Sequence, residues 1–122
     1  MTDLEVFQEE FTIWQKLLGL TGYKVYFTYR PIGDSFADIT ITQADMVATA
    51  RLNSKIPAEA KLDFNIKACA RHEAIHLLLG RIENRAIDRY VSEAEIFEAT
   101  EEAVRRLESA LDQLDALREQ QA

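Results

Sequence analysis

The sequence is poor in the residues that build stapled or metal-ribbon folds. It has one cysteine, Cys69, which excludes an internal disulfide framework and any CxxC zinc ribbon. There are only two prolines and four glycines, so long irregular or low-complexity stretches are not expected. No apolar run approaches the roughly 20 residues of a membrane-spanning helix; the longest stretches are short, such as Ile75–Leu79, which is itself interrupted by His76. No basic segment followed by an apolar one opens the chain, which leads us to expect a cytosolic protein without a signal peptide.

What the 122 residues do contain is an ordinary globular balance, 48% hydrophobic and 29% charged, with a formal net charge of −7. The expectation is one domain covering residues 1–122. The charge is uneven: from Glu93 to Ala122 nine acidic residues face three arginines, and the remainder is close to neutral. With no basic patch to neutralise phosphates, neither nucleic acid nor a membrane is an expected partner.

Periodicity sets the order of elements. Thr2 and Glu5 form a capping-box pair, followed by Leu4, Phe7, Phe11, Trp14 and Leu18 at helical spacing, with Gly19 or Gly22 as the stop. Tyr23–Tyr29 and Ala37–Thr42 alternate as strands do, Met46–Leu52 reads as a third strand, and residues 31–35 are turn chemistry. A loop over Asn53–Lys61 precedes a helix expected from about Asp63, as N-cap, to Arg81. Asn84–Tyr90 reads as a connector. Ser92 and Glu95 then open a long helix toward Glu119, in which Val104, Leu107, Leu111 and Leu114 mark the expected buried seam. The fold class is α+β: an N-terminal helix, a small three-stranded, mostly antiparallel sheet, and two further helices.

Both histidines of the chain lie in one segment, His72-Glu73-Ala74-Ile75-His76, inside the expected second helix. At about 100° per residue they sit about 40° apart, one turn from each other, where two neutral imidazoles can share one zinc ion. Glu73 follows the first ligand directly, so its carboxylate falls beside the metal. There it can act as general base toward a water whose pKa zinc brings to about 7. Chance HExxH matches occur in roughly one chain of a few hundred. The plain alternative is two partly exposed helical histidines.

A catalytic zinc needs a third protein ligand and one open position. With no third histidine, the candidates are Glu101, Glu98 and Glu93 of the acidic helix. If Val104 centres the buried face, Glu101 lies at its edge, about 60° away, and Glu102 faces solvent at about 160°. Cys69, three residues before His72, reads as a small buried helix residue, with a thiol near the metal as the rarer role. Tyr90 can be a packing residue or an oxyanion donor. Arg71 and Arg89 read as surface charges.

The order helix, small sheet, HEAIH helix and glutamate-bearing helix resembles the minimal gluzincin-type zincins. It is similar to the SprT-like and ImmA-like group and to short phage-type HExxH metallopeptidases. The resemblance runs through Phe11, Trp14, Ala50–Asn53, Arg71–His76 and Glu101–Leu107. It implies a zinc metallopeptidase acting on a protein or peptide substrate, with His72, His76 and Glu101 as zinc ligands and Glu73 as general base. The strand Met46–Leu52 would be the sheet edge beside the cleft, open to an extended peptide. The cysteine ribbon and DNA-linked biology of SprT-type relatives do not carry over, because this chain lacks both the cysteines and the basic surface. Other functions consistent with the residues are a zinc-stabilised binding module without turnover, and an interaction protein working through the Leu107, Leu111 and Leu114 seam.

Overall fold

A computed structural model describes residues 1–121. The elements are α1 (Asp3–Leu17), β1 (Lys24–Arg30), β2 (Ala37–Thr42), β3 (Val47–Asn53), α2 (Ile66–Ile87) and α3 (Glu93–Gln121), with short 3-10 turns at Gln43–Asp45 and Ala58–Asp63. The class is α+β. None of the described helices is long and apolar enough to cross a membrane.

Local chemistry explains the helix ends. The Glu5 amide donates to Thr2 Oγ1 at 3.2 Å, and the Glu95 amide donates to Ser92 Oγ at 3.1 Å, so both capping boxes place their helices as expected. Past α1 the chain turns through Gly19 at φ +70°, a left-handed conformation that glycine adopts without steric cost. The start of α2 differs from expectation. Asn65 is the N-cap, accepting from the Ala68 amide at 3.0 Å, and Asp63 ends the preceding 3-10 turn. At its other end α2 runs on through Ile87, so half of the supposed connector is helix.

The sheet is mixed rather than mostly antiparallel, in the order β1-β3-β2. β1 runs parallel to β3, with Lys24 opposite Val47 and Arg30 opposite Asn53, and β2 runs antiparallel to it, with Ala37 opposite Leu52. The strand expected at the edge, Met46–Leu52, is therefore the central one, and β2 is an edge. The reason lies in the crossover. Residues 31–36 can span about 20 Å, enough to step across the roughly 10 Å of two strand spacings and leave a gap for β3. Buried Asn53 holds this crossover: its side-chain amide donates to Gly33 O at 3.0 Å and Ser35 O at 2.8 Å, and its oxygen accepts from the Lys55 amide at 2.9 Å.

Ala48, Ala50 and Leu52 alternate onto the covered face of β3, beneath Phe7 and Phe11 of α1 and Ala70, Ala74 and Leu77 of α2. Phe27 meets Phe7 and Phe11 edge-to-face, with centroids 6.1 and 5.4 Å apart. α3 is turned differently from expectation. Its buried residues are Ala99, Ala103 and Ala110, whereas Val104, Leu107, Leu111 and Leu114 are exposed. Alanines let α3 lie close to its neighbours, and Arg106 donates to Gly19 O at the end of α1. The leucines, about 40–100° round the helix from the alanines, are left in solvent.

This inside-out placement makes a stability prediction. Phe11→Ala, at a position with no exposure, lowers unfolding free energy by about 3–5 kcal/mol. Leu111→Ala, at an exposed position, lowers it by less than about 1 kcal/mol. Urea denaturation of both variants checks the ranking, and a larger loss at Leu111 contradicts the orientation given for α3.

Candidate metal centre and cleft

His72 and His76 stand on consecutive turns of α2 with their Nε2 atoms 3.2 Å apart and their rings inclined at 73°. Two nitrogens each 2.0–2.1 Å from one tetrahedral ion would be about 3.3–3.4 Å apart. The pair is thus spaced as two ligands of a single zinc ion are, and the same distance also admits one N–H···N hydrogen bond between neutral rings. Both rings are exposed, and Glu73 between them in sequence is buried.

That burial dominates the electrostatics. Loss of solvent pushes the Glu73 carboxyl above the usual glutamate range; His72 and His76 pull it back, and Asp38 adds to the rise. The Cys69 thiol is likewise pushed up, first by burial and then by Glu73, which keeps it protonated and unreactive in this setting. Cys69 is half-buried and packs against the core, as a small helix residue does.

A cleft of ≈ 390 Å³ lies between α2 and the edge strand. Asp38, Ile39 and Ile41 of β2 form one wall, and His72, Glu73, His76 and Glu83 of α2 form the other. A second hollow, lined by Asp34–Ala37, Asn65 and Cys69, shares Ala37, His72 and Glu73 with the first. The two make one trough along β2 with Glu73 at its middle. Gly80 permits the close approach. A Cβ there would stand 2.6 Å from Gln43 Nε2 and 2.9 Å from Ile41 Cδ1. Gln43 cannot withdraw freely, because Tyr23 donates its hydroxyl proton to Gln43 Oε1 at 2.7 Å.

The structure does not bring Glu101 to the histidines. Arg81, which binds α3 through Glu102, lies nine residues after His72 and so about 180° round α2. α3 therefore docks on the flank of α2 opposite the imidazoles. Glu101 and Glu98 line a separate groove there with Arg81 and Arg105, and Glu93 is exposed at the start of α3. Among the described residues no group of three or more His, Cys, Asp or Glu side chains is placed to hold a metal ion. The two histidines are together, and no third donor is assembled with them among the described residues.

Glu102, expected in solvent, instead takes 2.9 and 3.1 Å contacts from Arg81 Nη1 and Arg106 Nη2. The buried face of α3 centres on Ala103, not Val104, which turns Glu102 toward the two arginines. Arg71 lies over the Trp14 ring, 5.8 Å from its centroid, and Tyr90 is 85% exposed between α2 and α3 with Arg89 over its ring. Neither Arg71 nor Tyr90 lines the trough. The residues that sequence reasoning missed are Asp38, held by its cross-strand partner Arg51 of β3 with Nε–Oδ1 2.6 Å, and Glu83. Glu83, seven residues after His76, falls about 20° from it in helical phase, a signal available in the spacing alone.

Glu102 gives a pH prediction. Burial alone would raise its carboxyl, but the hydrogen bonds from Arg81 and Arg106 outweigh that and hold it below the ordinary glutamate range. A lowered folded-state pKa contributes stability above the unfolded value, and that contribution is lost as pH falls through the folded one. Glu102→Gln is therefore less stable than the wild type at neutral pH, and the difference closes as pH drops below about 4.5. Thermal unfolding of both proteins across pH 3–7 checks this; a constant difference throughout contradicts it.

No protein-family model, no curated protein and no solved structure matches this chain.

Proposed function

We propose that this protein is a zinc-dependent metallopeptidase whose working residues are His72, His76 and Glu73. The observation that carries the reading is the convergence of the only two imidazoles of the chain at 3.2 Å, beside a buried carboxyl that opens on the same cleft. Glu101, the third ligand implied by the family resemblance, lies on the far flank of α2, so the proposal rests on the histidine pair and Glu73.

The substrate is an extended peptide lying in the trough. Among the described residues β2 pairs only with β3, so its outer edge offers unpaired backbone groups to an added strand. Ile39 and Ile41 give apolar contacts on that wall. A zinc ion held by the two imidazoles would polarise the scissile carbonyl and acidify a nearby water. Glu73 takes the proton from that water as it attacks the carbonyl carbon and returns it to the leaving amine nitrogen as the C–N bond breaks. Its raised pKa suits both halves of that transfer, because a group titrating nearer neutrality can accept and release a proton within one cycle. Burial also limits the water that competes for the same proton.

Two variants separate binding from chemistry. Glu73→Gln retains about one zinc per chain and loses cleavage of an unfolded protein by about 10²–10⁴-fold. His72→Ala and His76→Ala each lose the metal. Zinc analysis and a fluorescence cleavage assay on the four proteins check this. Equal cleavage by wild type and Glu73→Gln overturns the assigned base, and zinc retained by both histidine variants overturns the site.

A further inference from the structure

α3 carries an apolar stripe that nothing in the described chain covers. Phe97, Val104 and Leu111 alternate with Thr100, Leu107 and Leu114 at spacings of three and four, the period of a helix that packs along another helix. The five large apolar side chains are 42–63% exposed. One flank of the stripe is closed by the protein itself, through buried Ala99, Ala103 and Ala110. The other flank is lined by Glu101, Glu108 and Asp115, about 50–90° from the stripe's centre, with Asp115 paired to Arg118.

That asymmetry of charge identifies the occupant. A second copy laid antiparallel would set one acidic row against the other, since like flanks face each other in that arrangement. Laid parallel, it would need the alanine flank, which is already buried within the protein's own fold. A helix with an apolar seam and lysines or arginines beside it meets neither obstacle: its seam covers the stripe and its cations meet the acidic row. We propose that α3 is a docking surface for a basic amphipathic helix of a partner protein, bound along Phe97–Leu114. The surface lies on α3, which docks on the flank of α2 opposite the histidines, so it is independent of the peptidase reading.

The test uses the full chain and a fluorescent 28-residue peptide with leucine at the seam positions and lysine at both flanks, read by anisotropy. Controls are the same seam with glutamate flanks and the same composition with the seam scrambled. The lysine peptide is expected to bind at least tenfold more tightly than either control and to weaken as salt rises from 50 to 500 mM. Joint substitution Leu107→Gln and Leu111→Gln, at exposed positions, is expected to cost at least tenfold with unchanged circular dichroism. Glu108→Gln with Asp115→Asn flattens the salt dependence. Absent binding, equal binding of the scrambled or glutamate peptide, or binding indifferent to the leucine substitutions overturns the proposal. So does a concentration-dependent dimer in sedimentation that the leucine substitutions abolish, because a second copy then occupies the stripe.

Discussion

At position 80 a Cβ would stand 2.6 Å from Gln43 Nε2 and 2.9 Å from Ile41 Cδ1, so the α2 backbone approaches the sheet edge more closely there than any larger residue allows. This contact fixes the width of the trough. One turn back along α2, His76 lines the cleft beside that contact, and a further turn back Glu73 lines it as a buried side chain. The sheet edge cannot retreat readily, since β2 is held to β3 along its whole length and Gln43 is tied to Tyr23. The close contact at Gly80 thus lies one turn from His76 and two from His72.

Within that frame the two kinds of titratable side chain are treated oppositely. The imidazoles are solvent-facing. The carboxyl between them is buried without a cation bonded to it, and burial moves its proton affinity upward. Acid groups elsewhere are handled differently: Glu102 is clamped by two arginines and Asp38 by Arg51. Those pairs tie elements together, α3 to α2 and β2 to β3, and leave Glu73 as the one buried acid in the trough without such a clamp among the described residues.

Much of this was legible in the residues. The capping boxes at Thr2 and Ser92, the three strands and the placement of HExxH on a helix all follow from local rules, because caps and periodicity act over three or four residues. What local rules do not contain is the choice of neighbours. The crossover that inserts β3 between β1 and β2 depends on a six-residue loop and on Asn53, eighteen and twenty residues from the carbonyls it binds. The facing of α3 was misjudged for a related reason. Leucines at spacings of three and four resemble a core stripe, yet the interior took the alanines, since small residues allow the helices to close and let Arg81 and Arg106 reach Glu102. That single rotation turns Glu102 toward Arg81 and Arg106 instead of toward solvent.

The central claim is that His72 and His76 grip one divalent ion together. Because they are the only histidines, nitrogen-resolved magnetic resonance of the imidazoles reports on this pair alone during a zinc titration. The account predicts that both Nε2 signals move in concert and stop changing at one equivalent of zinc. Two rings that respond separately, or a spectrum indifferent to the metal, would contradict it.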